Sequence, residues 1–143
     1  MTDVIASLGL IQFERYPEML VKRKEMIEKM DTAFADINVA VLNHYGKNHA
    51  SSGHLYIVRL LGKTREQTNE VIEKMAERGI ATNVHYKPLP MMTAYKKIGF
   101  DIKDFPNAYH MFENEITLPL NTKMTMEDVD YVIENFVDIV KSF

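Results

Sequence analysis

The sequence predicts an α+β domain: a small, mostly antiparallel sheet of three or four strands, with helices on one face and further helices preceding it. Two patterns predict this class. Short runs rich in β-branched and aromatic residues are bounded by turn residues, as strands are. Between them, apolar residues recur at three- and four-residue steps, as in helices. The chain has 143 residues, enough for one domain with a substantial core.

The N-terminal 35 residues are predicted to be helical. Thr2 or Asp3 can cap a first helix, whose apolar residues share one face. Pro17 lacks a backbone donor and is best tolerated in a first turn, so we expect a break near residues 15–16 and a second helix from there. The buried side of that second helix is expected to contain Leu20, Ile27, Met30 and Phe34.

Two strands and a loop should follow. Residues 37–42 and 54–62 have strand composition, and residues 43–53 between them are rich in Gly, Asn and Ser. We expect His44, in that loop, to be solvated.

A capped helix is predicted next. Thr64 and Gln67 have the spacing of a capping box, in which each side chain bonds the other residue's backbone N–H. The helix should end at Gly79, because a left-handed residue suits a helix C-terminus. A third strand is predicted over residues 80–86.

The last third of the chain should contain three more helices and one strand. A short helix is predicted over residues 91–99, and Pro106 should begin another. Residues 116–120 form a brief strand, and Pro119 should keep it at the edge of the sheet. Thr125 should cap the final helix, which has the strongest apolar periodicity in the chain.

Composition removes several classes of function. The net charge of −3 gives no reason to expect nucleic acid or an anionic membrane as partner. No apolar run is long enough to span a membrane, and the N-terminus lacks the basic residues of a signal peptide. There is no cysteine, which excludes disulfides and cysteine-ligated metals. We therefore expect a cytoplasmic protein. His110 and Glu113 have a spacing seen in metal sites, but no further ligand is near in sequence, so we expect a surface pair and no metal.

One polar triplet stands at the predicted end of the third strand. His85, Tyr86 and Lys87 can all donate hydrogen bonds to phosphate oxygens, and Pro88 and Pro90 should hold the strand exit extended. The alternative is that Tyr86 packs inward while His85 and Lys87 are solvated. The residue pattern alone leaves both interpretations open.

An ordered set of motifs carries a family resemblance. It comprises MTDVIASLGLIQFERYPEMLVKRKE, HLYIVRLLGKTREQ, GIATNVHYKPLP, FPNA and ITLPLNTKMTMEDVDYVI. In order and spacing, these motifs resemble the C-terminal small domain of the DegT–DnrJ–StrS family, the pyridoxal-phosphate-dependent sugar aminotransferases of fold type I. The resemblance covers nearly all of the chain. It implies that residues 1–35 are N-terminal helices linking to a large domain, and that residues 36–143 are the small domain.

The resemblance also implies a function. Members transfer an amino group, usually from glutamate, to a keto sugar carried on a nucleotide diphosphate, and they are generally homodimers. Their large N-terminal domain holds pyridoxal phosphate and the lysine that forms the Schiff base. By residue-to-residue transfer, His85, Tyr86 and Lys87 become candidates for binding the nucleotide sugar, at its diphosphate. Many members have a second histidine where this chain has Pro90 and Met91, which bears on the sugar that is accepted.

No lysine of this chain fits the Schiff-base role by that resemblance. We therefore expect no catalytic or cofactor-binding residue in the chain, no pyridoxal phosphate bound to it alone, and no transamination without the large domain. Two alternatives remain open: a stand-alone, non-enzymatic module that binds sugar nucleotides or regulates, and a pure dimerisation module. In every case, the face that meets the large domain should be apolar and should favour self-association when exposed.

Overall fold

A computed structural model describes all 143 residues. The elements occur in the order α1 (Asp3–Phe34), β1 (Val39–Val41), β2 (Tyr45–Gly46), β3 (His49–Ala50), β4 (Tyr56–Leu60), α2 (Arg65–Glu77), α3 (Thr93–Lys97), α4 (Pro106–Phe112), β5 (Glu115–Leu118) and α5 (Met126–Lys141). Single 3₁₀ turns at Leu89–Met91 and Ile102–Asp104 flank α3. None of the helices is both long and apolar enough to cross a membrane.

The main sheet has three antiparallel strands in the order β1-β4-β5. Val39 pairs with Leu60 across β1 and β4, and Tyr56 pairs with Leu118 across β4 and β5. The strands β2 and β3 form a separate two-stranded hairpin. The predicted α+β class with a small antiparallel sheet is confirmed, and β5, which Pro119 follows, lies at the edge as expected.

The strand predicted over residues 80–86 is wrong. Only one bridge forms there, with hydrogen bonds of 3.1 and 2.8 Å between the backbones of Asn83 and Thr117. The next rung of an antiparallel ladder would join the backbones of His85 and Glu115. Instead, the His85 N–H donates to the Glu115 carboxylate, and the Glu115 carbonyl accepts from Arg65. Side chains thus replace the ladder after a single rung.

The predicted break at Pro17 is also wrong, because α1 is one helix of 32 residues with Pro17 inside it. Pro17 removes the hydrogen bond to the carbonyl of Phe13. The helix is exposed in this region, with the Phe13 side chain 75% accessible, so water can satisfy that carbonyl. Burial begins about two and a half turns after Pro17. Met26, Ile27, Met30 and Phe34 are buried, which confirms three of the four predicted core positions, and Leu20 is half-buried.

The hydrophobic core lies between one face of the main sheet and three helices. On β4, alternate residues Tyr56, Val58 and Leu60 are buried against the helices. The C-terminal half of α1, α2 and α5 cover them, and their buried residues include Val71, Met75, Val129, Val132, Phe136 and Ile139. The opposite face of the sheet is left for the cavity described below.

The helix caps follow the sequence prediction. Thr64 and Thr125 both form capping boxes, and Gly79 has φ +74° after α2.

The sequence prediction for His44 is wrong. His44 was expected to be solvated, yet it is only 5% exposed. Its ring stacks on the Tyr56 ring, with 5.8 Å between the ring centroids and 6° between the ring planes. The β2–β3 hairpin orders the predicted loop and holds His44 against the sheet, and burial lowers the pKa of its imidazole.

Candidate functional site

A cavity of about 300 Å³ opens on the sheet face away from the helical core. Strand alternation places Ile57 and Arg59 of β4 on this face, since their neighbours point into the core. The polar lining comprises Arg59, His85, Tyr86 and Glu115, and the apolar lining comprises Ala40, Val41, Leu42, Ile57, Ala108, Met111 and Phe112. A mostly apolar cavity with a few convergent polar groups is typical of a small-molecule site.

His85 is held at this cavity by two buried residues of β5. Its backbone N–H donates to Glu115 Oε2 at 3.1 Å, and its ring Nδ1 lies 2.9 Å from Thr117 Oγ1. The Thr117 hydroxyl in turn donates to Glu115 Oε1 at 2.7 Å. Glu115 and Thr117 are only 4% and 5% exposed. The orientation of His85 is therefore fixed by the sheet edge.

Glu115 is a buried carboxylate without a salt-bridge partner. Burial raises its pKa, and the hydrogen bonds from Thr117 and from the His85 backbone oppose that rise. Because burial is the larger effect, the pKa of the Glu115 carboxyl lies above its ordinary value.

Tyr86 lies at the rim of the cavity, and Lys87 lies outside it. Tyr86 lines the cavity at its rim with its side chain 72% exposed, and its ring meets the His85 ring edge-on at 4.7 Å. Lys87 is exposed and does not line the cavity. The structure thus brings His85 and Tyr86 together at one site. The alternative in which Tyr86 packs inward and His85 is solvated is wrong, because Tyr86 is exposed and His85 is half-buried.

Sequence reasoning missed Arg59. Its Nε donates to Asn114 Oδ1 at 3.0 Å, and its Nη2 lies 3.2 Å from both the carbonyl oxygen and Nε2 of His110. His110 Nδ1 lies 2.8 Å from Glu113 Oε1, so these two form the predicted surface pair. No group of three potential ligand side chains is arranged to hold a metal ion.

Sequence reasoning also missed Glu115 and Thr117. A signal for Glu115 was present, because it directly precedes the predicted strand over residues 116–120, and a charged residue that is buried with a strand needs a partner. The partner, His85, lies 30 residues away in the chain and could not be identified from the strand itself.

A sequence profile of the DegT/DnrJ/EryC1/StrS aminotransferase family matches residues 1–137. The chain belongs to this family. Among its relatives is the spore coat polysaccharide biosynthesis protein SpsC of Bacillus subtilis, which is 34% identical over 99% of this chain and 37% of that protein. A UDP-4-amino-4,6-dideoxy-N-acetyl-beta-L-altrosamine transaminase of Campylobacter jejuni is 29% identical over 99% of this chain and 37% of its own length.

Solved structures of the family share the fold. Spr1654 of Streptococcus pneumoniae, described as a sugar aminotransferase, superposes with a TM-score of 0.96 and 50% identity over 99% of this chain and 36% of its own. Its structure is known in apo, pyridoxamine-phosphate and pyridoxal-phosphate forms. PseC of Helicobacter pylori, an aminotransferase of pseudoaminic acid biosynthesis, has a TM-score of 0.82 and 29% identity over 95% of this chain and 36% of its own. The chain thus spans somewhat more than a third of the relatives it matches.

The cavity can be tested for its fit to the family's cofactor. Pyridoxal phosphate is held through a Schiff base with lysine, and none of the residues that line the cavity is a lysine. The lining of this cavity therefore does not fit a covalent cofactor site. The groups that line the cavity offer hydrogen bonds and charge to a ligand.

Proposed function

We propose that this chain is the C-terminal small domain of a pyridoxal-phosphate-dependent aminotransferase that moves an amino group from glutamate to a keto sugar on a nucleotide. Residues 1–35 connect it to the large domain, and residues 36–143 supply one side of the substrate cleft. The observation that carries the proposal is the half-buried His85. In a chain of this family, it is fixed by two buried residues at a cavity that also contains an arginine and a carboxylate.

In this proposal the nucleotide sugar contacts His85, Tyr86 and Lys87. His85 supplies a ring nitrogen inside the cavity, Tyr86 supplies a phenol at the rim, and Lys87 supplies an exposed ammonium beyond it. A single hydrogen bond to a neutral or charged ligand group contributes about 1–2 kcal/mol, which is about 5- to 30-fold in Kd.

Binding of UDP-N-acetylglucosamine to the chain, measured by saturation-transfer NMR and calorimetry, tests this part. His85→Ala should weaken binding by about 5-fold or more. His54→Ala is the matched control, since His54 is an exposed histidine outside the cavity, and it should bind like the wild type. Equal affinity of the two variants would contradict the placement of the substrate at His85.

We further propose that the chain alone does not transaminate. Purified chain, pyridoxal phosphate and glutamate should release 2-oxoglutarate no faster than free pyridoxal phosphate does, because the cavity offers no lysine to hold the cofactor. A rate clearly above that background would refute the proposal. Intact mass spectrometry of the native polypeptide adds an independent test: we expect a species much heavier than the 16.6 kDa of this chain.

A species of 16.6 kDa would instead favour a stand-alone module that binds sugar nucleotides or dimerises. One observation supports a docking role beside the enzymatic one. Residues 4–13 of α1 expose several large apolar side chains, namely Val4, Ile5, Leu8, Leu10, Ile11 and Phe13. We propose that this stretch meets the large domain or a second copy of the chain in a homodimer. Sedimentation should show self-association of the isolated chain, and a clean monomer at high concentration would argue against it.

A further inference from the structure

The hydrogen bonds around Thr117 determine which ring nitrogen of His85 carries the proton. A hydroxyl group has one hydrogen to donate. Thr117 donates it to Glu115 Oε1, at 2.7 Å, and a carboxylate can only accept. Toward His85, 2.9 Å away, the Thr117 oxygen is therefore left as an acceptor, and His85 must donate from Nδ1.

The other ring nitrogen is free. His85 Nε2 has no hydrogen-bond partner in the chain, and it is not among the side-chain nitrogens that are buried without one, so it is accessible at the cavity. In the neutral imidazole with its proton on Nδ1, Nε2 is an acceptor. It can accept from a hydroxyl or an amine, but it cannot donate to a phosphate oxygen.

We propose that Glu115 and Thr117 are positioning residues that hold His85 in the Nδ1–H tautomer, so that Nε2 accepts a hydrogen bond from a hydroxyl or amino group of the sugar. This inference rests on the proposed function for its ligand. It assigns His85 to the sugar portion of the substrate, whereas the family resemblance assigned the triplet to the diphosphate. The diphosphate needs donors, which the Lys87 ammonium and the Tyr86 hydroxyl can supply.

The tautomer can be measured without any ligand. The chain contains five histidines, and the long-range ¹H–¹⁵N NMR pattern of each neutral ring distinguishes Nδ1–H from Nε2–H. The experiment uses the ¹⁵N-histidine-labelled chain at a pH of about 8.5, well above the ordinary histidine pKa. His110 and His49 are internal references: His110 should be Nδ1–H because Nδ1 donates to Glu113, and His49 should be Nε2–H because Nε2 donates to the carbonyl of Asn43.

His85 should show the Nδ1–H pattern in the wild type. Thr117→Val has nearly the same shape but no hydroxyl, so the Nδ1–H restraint should be lost and the His85 pattern should change. His110 and His49 should keep theirs, which shows that the fold is intact. Thr117→Ser keeps the hydroxyl and should restore the Nδ1–H pattern. An Nε2–H pattern in the wild type, or one that Thr117→Val leaves unchanged, would overturn the assignment.

A binding comparison tests the ligand group separately. UDP contains the diphosphate without the sugar, and UDP-N-acetylglucosamine contains both. His85→Ala should weaken UDP-N-acetylglucosamine by about 5-fold or more and change UDP by less than about 2-fold. An equal loss for both nucleotides would place Nε2 at the diphosphate and overturn this assignment. If neither nucleotide bound the wild type, the proposed function of the chain would fail, and the NMR result alone would decide the role of Glu115 and Thr117.

Discussion

Replacing Tyr56 by phenylalanine isolates one hydrogen bond between α1 and the central strand. Tyr56 of β4 is fully buried, and its hydroxyl donates to Asp31 Oδ1 of α1 at 2.7 Å. Tyr56→Phe removes that hydroxyl and leaves the ring, whose contacts with Phe34 at 6.0 Å and His44 at 5.8 Å should persist. The loss of stability then reports the hydrogen bond more than the packing.

The expected magnitude follows from the charge of the acceptor. A hydrogen bond to an ionised group contributes about 1.5–3 kcal/mol to stability. Asp31 is half-buried, so water can partly replace the lost donor. We therefore expect a loss at the lower end, about 1.5–2 kcal/mol. With a urea m-value of about 2 kcal/mol/M for a chain of this size, the midpoint should fall by about 0.7–1 M.

Urea unfolding followed by far-ultraviolet circular dichroism measures the change, and Tyr45→Phe is the matched control. Tyr45 neighbours the same region, but its hydroxyl makes no hydrogen bond within the chain, so its loss should cost less than about 0.5 kcal/mol. A double-mutant cycle with Asp31→Ala, which removes the acceptor, should give a coupling energy of about 1 kcal/mol or more. If Tyr56→Phe behaved like the control, or if the coupling were near zero, the hydrogen bond would not hold α1 to the sheet.

Three further outcomes follow from burial and backbone geometry. Burial lowers the pKa of His44, so its neutral ring stabilises the fold above the ordinary histidine pKa of about 6.5, and this stabilisation is lost as the pH falls below that value. Urea titrations should therefore show a smaller loss of stability for His44→Phe than for the wild type as the pH is lowered. Gly79→Ala should destabilise the fold by about 1–2 kcal/mol, because the φ of Gly79 is +74°. Gly9→Ala should stabilise the fold by about 0.5–1 kcal/mol, because Gly9 lies inside α1 with open space around it. Thermal unfolding of the two variants measures both changes. Phe136→Ala empties a fully buried position 5.0 Å from the Phe34 ring and should cost about 3–5 kcal/mol in urea unfolding.

The sequence by itself determined the elements whose signals are local. Both capping boxes, at Thr64 and Thr125, form as their spacing predicts, since the two partners lie three residues apart and any helix started there brings them together. The apolar periodicity of α5 and the left-handed Gly79 are equally local. The antiparallel sheet followed from strand composition, and Pro119 correctly predicted an edge strand because it has no N–H for a further neighbour.

Tertiary contacts decided the features that sequence reasoning got wrong or missed. Pro17 did not break α1, because that part of the helix is exposed and water can satisfy the freed carbonyl. His44 is buried because a hairpin orders its loop and stacks the ring on Tyr56. Neither outcome depends on the residues immediately adjacent in sequence.

The candidate site shows the same division. The sequence indicated His85, Tyr86 and Lys87 as a polar group at a chain exit, but only the fold showed which of them reaches the cavity. Glu115 and Thr117 replace the expected strand ladder with side-chain hydrogen bonds to a residue about thirty positions earlier. A buried carboxylate needs hydrogen-bond partners, so the sequence indicates that Glu115 has some. Which residues they are depends on how the chain packs against the edge of β5, because hydrogen bonds form between groups that are close in space and not in sequence.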